Sequence, residues 1–145
     1  MDAQSTFQVF DWLWSSGQLS ERDIGELPSL GIDAVVNLAL PSSSNALAGE
    51  AEMVSAKGIS YFQIPVLWER PEIDQLVLFF DILDSLKGKK IWVHCALNMR
   101  VSAFIYLYRK LRLNEDHASA NFPMRHIWQP SEVWQSFIKR AENEL

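Results

Sequence analysis

The chain is predicted to fold as a single α/β domain, 1–145, with a mainly parallel central sheet of four to five strands flanked by helices. Three observations predict it. Short apolar runs alternate along the chain with stretches of helical spacing. The run Asp33–Leu40 is almost continuously apolar, as in a strand covered on both faces. With 145 residues, 48% of them hydrophobic, and no repeat, low-complexity tract or linker, the chain has enough material for one core.

Element by element, the aromatic-rich segment Phe7–Trp14 leads into Ser15-Ser-Gly-Gln-Leu19 and reads as a short first strand and a turn. Ser20 to Asp23 has the form of a capping box, and Ile24, Leu27 and Leu30 supply the apolar stripe of the helix it opens. Pro28 and Gly31 end that helix early or irregularly. After the strand at 33–40, Pro41–Asn45 is a loop and Ala46–Lys57 a second helix stopped by Gly58. Ile59–Pro65 is the next strand and Val66–Arg70 a loop, with Pro71 at a first helical position. Ile73, Leu76, Val77, Phe80, Leu83 and Leu86 mark one face of a helix that Gly88 stops.

Lys90–His94 then reads as a buried strand, and Val101–Leu113 as a helix with Phe104, Ile105, Tyr108 and Leu111 on one face. Asn114–Arg125 is irregular or weakly helical. Pro130–Asn143 is a last helix with Val133, Trp134, Phe137 and Ile138 inward. The six tryptophans are expected in the core or lining a pocket.

Charge and composition exclude several roles. A net charge of −5 without any Lys/Arg-rich run argues against nucleic acid and membrane as partners. No apolar run approaches membrane-spanning length, and Met1–Ser5 does not open a signal peptide. One cysteine cannot form an internal disulfide, which fits a reducing, cytoplasmic compartment. His117 and His126 lack ligand spacing with each other and with Cys95, so neither a metal nor another cofactor is expected.

The chemistry concentrates between the strand ending at His94 and the helix that follows. That turn holds Cys95, the only cysteine, and Arg100 five residues later. A helix beginning here aims unpaired backbone N–H groups and the positive end of its dipole into the turn. Such a turn binds anions and favours a thiolate. A thiolate, a guanidinium and a ring of amides from Ala96, Leu97, Asn98, Met99, Arg100 and Val101 together make a site for attack on phosphorus. Ligands of parallel sheets bind at the carboxyl ends of strands, where Cys95 falls. The alternative for Cys95 is a buried inert thiol, for Arg100 a surface ion pair, and for Ser102 a backbone-bonded residue of the first helical turn. Asn37 is read as bonding backbone, and Trp68 as either pocket wall or packing.

Four short motifs in order carry a family resemblance across nearly the whole chain. Ser15-Ser-Gly-Gln-Leu19 is similar to the opening of a bacterial phosphatase-like family, and Val35-Val-Asn-Leu38 to its following strand. Ile64-Pro-Val66 is similar to the strand before the general-acid loop, and Val93-His-Cys95 to the strand that delivers the nucleophile. The chain thus resembles the cysteine-based protein tyrosine phosphatases, on the dual-specificity side. The resemblance implies Cys95 as nucleophile, Arg100 and the loop amides as phosphate ligands, and Ser102 as the hydroxyl that stabilises the departing thiolate. His94 reads either as a satisfied core histidine or as a support that holds the loop through a backbone hydrogen bond, in both cases a structural role.

Two departures from that pattern stand out. The family signature places five residues between cysteine and arginine, followed by Ser or Thr. Here only Ala96, Leu97, Asn98 and Met99 intervene, while Ser102 keeps the family distance from Cys95. Either the loop has lost one residue before Arg100, or Val101 takes the usual place of the arginine. The loop also lacks the usual glycines, and Asn98 is the one residue in it that tolerates a positive φ well. The second departure is the general acid. No aspartate directly follows Pro65-Val66; Glu69 is the best placed substitute, and Glu72 and Asp74 fall where acidic residues simply complement a helix dipole.

Three functions follow from these residues. The first is a phosphomonoester hydrolase working through a phosphocysteine. The second is a weak or inactive module that binds a phosphorylated partner or inorganic phosphate or sulfate. The third is a rhodanese-like sulfurtransferase, whose cysteine loop is similarly short. The strand motifs favour the phosphatase lineage.

Overall fold

β5 (Ile91–His94) lies at the centre of a five-stranded sheet in the computed structural model, which describes residues 1–145. It pairs in parallel with β2 (Leu13–Ser16) on one side and β3 (Ala34–Asn37) on the other. β4 (Ser60–Gln63) adds to β3 in parallel, and β1 (Phe7–Phe10) pairs antiparallel with β2 at the opposite edge. The single first strand expected from the sequence is therefore a hairpin. Its short turn, Asp11-Trp12, contains none of the glycine or asparagine that marks most two-residue hairpin turns.

The helices are α1 (Glu21–Glu26), α2 (Glu50–Ala56), α3 (Ile73–Ser85), α4 (Met99–Leu111), α5 (His117–Ala120) and α6 (Glu132–Glu144). The predicted capping box is present: Ser20 Oγ accepts from Asp23 N at 3.1 Å, and Asp23 Oδ2 accepts from Ser20 N at 3.0 Å. Asp23 also accepts from the amides of Asp2 and Ala3, which fastens the N-terminal segment to α1. A 3-10 turn over Leu27–Leu30 continues α1 past Pro28, and Gly31 closes it at φ 74°. α2 starts four residues later than expected because Gly49 adopts φ 78° immediately before it. Pro71 lies ahead of α3 rather than inside it; Glu72 is the cap.

The alternation of strand residues splits the core in two. Val36 and Val93 face the larger side with Leu76, Phe79, Phe80, Phe104, Trp134 and Phe137 from α3, α4 and α6. Val35 and Trp92 face the smaller side with Ile24, Leu27 and Val54. α4 is buried from Arg100 through Arg109, so it is the central helix of the domain rather than a surface one. On α3 the inward residue is Phe79 instead of Val77, and on α6 Val133 is exposed while Ala141 is buried. No helix is long and apolar enough to cross a membrane.

Candidate active site

The register of the sheet sets the floor of the site. Ser16, His94 and Asn37 lie side by side at the carboxyl ends of three adjacent parallel strands. Cys95 is the next residue, one per cent exposed, and α4 begins four residues later. The chain turns from strand to helix through Asn98, at φ 68° and ψ 5°, the left-handed conformation expected of it. Its amide Nδ2 donates to Ser5 O at 2.8 Å and Ser15 Oγ at 3.0 Å, which offsets part of the strain. Asn98 Oδ1 is buried without a donor. Strain and unmet polar groups of this kind concentrate at functional sites.

Neighbouring segments brace the turn. Ala96 O accepts from Gln18 N at 3.0 Å and from Asn45 Nδ2 at 3.1 Å. Gly17 has to be glycine because a Cβ there would stand 2.7 Å from Ala96 O, with backbone on both sides of the contact. Gly17→Ala is expected to push the Cys95 loop outward and to destabilise the protein by about 1–3 kcal/mol, the usual cost of overpacking. Denaturant unfolding together with phosphate titration checks this, since loop displacement weakens both.

The donors of the loop are left open. The backbone N–H groups of Ala96, Leu97, Met99, Arg100 and Val101 donate to no backbone carbonyl. Leu97 meets Gly17 in an isolated antiparallel bridge. Arg100 is 7% exposed, yet no carboxylate lies within ion-pair distance of its guanidinium; its one protein bond is from Nη1 to Val66 O at 2.8 Å. Arg109 on the same helix, 8% exposed, shows what a structural arginine looks like. It holds Glu115 through two bonds of 3.0 and 2.7 Å and donates to Phe122 O. A guanidinium buried without a counter-charge is costly unless an anion joins it. Val101 packs into the larger core.

The loop after β4 is held from below. Val66 O accepts from Arg100, Pro65 O from Gln75 Nε2, Trp68 O from Trp134 Nε1 and Pro71 O from Arg140 Nη2. Trp68 is 41% exposed and packs at a tilt against Trp128 and Trp134, at centroid distances of 5.3 and 5.9 Å. Glu69 stands at the exposed tip of the tight turn Leu67–Arg70 without an ion pair or hydrogen bond. Glu72 is occupied in its capping box with Gln75, and Asp74 is exposed in the first turn of α3. Ser102 is fully buried. Its hydroxyl donates to Met99 O at 2.7 Å and accepts from Trp128 Nε1 at 2.9 Å.

Behind the loop lies a polar network that sequence reasoning missed. His94 Nε2 meets Glu50 Oε2 at 2.6 Å and Nδ1 meets Cys95 O at 3.2 Å. Glu50 Oε1 accepts from Gln18 Nε2 at 2.6 Å. Burial pushes the Glu50 carboxyl up, but the bond and charge of His94, with further bonds from Gln18 and Tyr61, outweigh it and hold the group below its ordinary value. Burial, with the carboxylate of Glu50 nearby, pushes the Tyr61 hydroxyl up to about 12. Asn37 belongs to this network as a structural residue, donating to Tyr61 and accepting from Ala39 N.

No family model matches the chain, and no curated protein does. Solved structures are similar. The phosphatase-like DUF442 protein of Shewanella putrefaciens CN-32 is 33% identical, with 99% of this chain and 94% of that one covered and a TM-score of 0.87. The chain belongs to the DUF442 family. The DUF442 fold is that of the cysteine-based tyrosine and dual-specificity phosphatases. Tk-PTP in its active form covers 97% of this chain and 98% of its own at 17% identity and a TM-score of 0.81. PTPMT1, solved with PI(5)P, covers 96% and 95% at 11% identity, also with a TM-score of 0.81.

Proposed function

We propose that this DUF442 chain is a phosphomonoester hydrolase that works through a phosphocysteine on Cys95. The observation that carries the reading is Arg100: a buried guanidinium without a carboxylate, five residues along the chain from Cys95, in a turn whose amides donate to no backbone carbonyl. Those donors match the equatorial oxygens of a phosphoryl group, and bound phosphate supplies the missing counter-charge. The Cys95 thiolate attacks phosphorus as the P–O bond to the leaving group breaks, the departing oxygen taking a proton from the general acid; Arg100 and the amides of residues 96–101 hold the developing charge, and water then cleaves the S–P bond, releasing inorganic phosphate and the thiolate. Ser102, its oxygen fixed by Trp128, stabilises the departing thiolate by turning its hydrogen from Met99 O toward sulfur. The ligand of PTPMT1, PI(5)P, is a phosphomonoester as well, so the neighbouring fold accepts this substrate class.

Only four residues separate Cys95 from Arg100, one fewer than in the tyrosine phosphatase signature. Turnover is expected to be slow for that reason, since a misplacement of about 1 Å can remove about a hundredfold of rate. Glu69 is the proposed general acid, because it alone of the three acidic residues has neither a capping partner nor a place in the helix. Glu69→Gln is expected to slow hydrolysis of alkyl phosphates by about 10²–10⁴-fold and to slow p-nitrophenyl phosphate far less, because an activated phenolate needs little protonation. Equal slowing of both substrates removes Glu69 from this role.

A second reading rests on the burial of Cys95 and the engagement of Ser102 with Trp128: the domain binds a phosphorylated partner without turning it over. Phosphate binding without hydrolysis of aryl, peptide or nucleotide phosphates selects it. Transfer of sulfur from thiosulfate to cyanide, dependent on Cys95, selects the sulfurtransferase instead.

A further inference from the structure

The N-terminal segment Asp2–Thr6 runs from α1 to the Cys95 loop and is tied at both ends. At the first end the Asp23 carboxylate, 1% exposed, accepts from Asp2 N at 2.6 Å and from Ala3 N at 3.0 Å, in addition to its capping bond from Ser20 N. Thr6 Oγ1 donates to Ala3 O at 2.9 Å and closes the bend between them. At the second end two carbonyls of the segment accept from the site: Gln4 O from Gly17 N and Ser5 O from Asn98 Nδ2, both at 2.8 Å. These are the points on which the loop turns. Gly17 bridges Leu97 and has no room for a Cβ against Ala96 O, and Asn98 is the left-handed residue from which α4 starts.

We infer that Asp23, on α1, is a positioning residue for the Cys95 loop and acts on it through this segment. The segment contributes little else. Ala3 is its only buried side chain, so it adds almost no apolar burial to the core. The exposed contacts of Asp2, with Arg22 at 3.8 Å and Ser20 Oγ at 2.9 Å, contribute little in solvent. What the segment delivers is two backbone carbonyls at fixed places. A left-handed residue other than glycine persists only where its surroundings over-determine it. Asn98 Oδ1 has no donor, so the orientation of its amide rests on Nδ2 alone, with Ser5 O and Ser15 Oγ as acceptors. With the segment released, only Ser15 Oγ remains, and Gly17 N has no acceptor. The turn then loses its defined entry into α4, and the amides of Met99, Arg100 and Val101 lose their fixed direction. The charge of Asp23 suits the fastening: three N–H donors converge on a group that only accepts.

The effect on anion binding rests on the reading of the loop as a phosphate site; the fastening of the loop does not. Two arms on the full chain keep them apart. Asp23→Asn keeps the size of the side chain but sets an NH2 group against N–H donors. Ile24→Val, at the next residue of α1 and buried at 1%, is the control: it loosens the core and touches none of the segment's bonds. In the first arm, without anion, solvent exchange of the Gly17 amide and of the Asn98 side-chain amide is followed by NMR. Both are expected to exchange about tenfold faster in Asp23→Asn than in Ile24→Val. Equal exchange in the two variants overturns the inference, whether or not the protein hydrolyses phosphomonoesters. In the second arm, the dissociation constant of inorganic phosphate is expected to rise about tenfold in Asp23→Asn and to stay unchanged in Ile24→Val, although both variants unfold at lower temperature. Equal affinity in all three proteins, or equal weakening in the two variants, overturns the inference. Ala3→Pro removes one amide of the segment and leaves Asp23 and its capping box intact; it replaces Asp23→Asn should that variant fail to fold, with the same outcomes. An unaltered protein that binds no phosphate rejects the phosphate-site reading, and the first arm then decides the inference alone.

Discussion

Cys95→Ser is expected to hydrolyse no phosphomonoester while still binding phosphate. Removing a nucleophile that acts as a unit with its surroundings costs on the order of 10⁴–10⁶ in rate, leaving only what the cradle contributes. The fold should tolerate the change. The side chain is buried, but the new hydroxyl is slightly smaller than the thiol, and the amides of the following turn lack backbone acceptors. Its cost in stability is therefore about 1 kcal/mol, the scale of a single rearranged hydrogen bond. Rates on p-nitrophenyl phosphate, thermal unfolding and phosphate titration together check this. A variant that turns over at the original rate would mean that Cys95 is not the attacking group.

Arg100→Ala should separate binding from stability. In the absence of anion the arginine has one hydrogen bond, to Val66 O, and no counter-charge. Its removal costs at most about 1 kcal/mol, because the desolvated charge is lost together with the bond. Arg109→Ala, by contrast, leaves Glu115 without its partner and is expected to cost about 3–5 kcal/mol. With phosphate or sulfate present the order reverses. The unaltered protein and Arg109→Ala gain thermal protection, and Arg100→Ala gains almost none. For turnover, the loss of a charged donor that strengthens in the transition state is expected to reduce kcat/KM by about 10³-fold, or about 4 kcal/mol. Unfolding temperatures measured against anion concentration for the three proteins test the prediction. Equal protection of Arg100→Ala and the unaltered chain would place the anion elsewhere.

Much of the fold was legible because it rests on local signals. The capping box at Ser20, the apolar run of β3 and the apolar stripe of α3 each act within a few residues. The hairpin β1–β2 was not, because Asp11-Trp12 carries no turn signature and its strands are recognised only by their pairing. Within the site, Cys95, Arg100 and the left-handed Asn98 could be singled out from spacing and residue type. Glu50 could not. In Gly49-Glu-Ala-Glu-Met53 it reads as one of two solvated acids at a helix start, and its burial depends on His94, 44 residues further along. Its neighbour in type, Glu52, is the exposed one. The isolation of Arg100 was equally invisible, since a missing counter-charge is a property of the packed structure. Ser102 illustrates the reverse case: sequence distance tied it to the thiol, but Trp128, 26 residues away, holds its oxygen.

The central claim is that a phosphoryl group passes through Cys95. Acid quenching during turnover of a ³²P-labelled aryl phosphate, followed by peptide mapping, tests it most directly. Label is expected on the peptide containing Cys95, to be chased off by unlabelled substrate at the rate of turnover, and to be absent from Cys95→Ser. Turnover without label on Cys95, or label on another residue that chases at the turnover rate, would contradict the account.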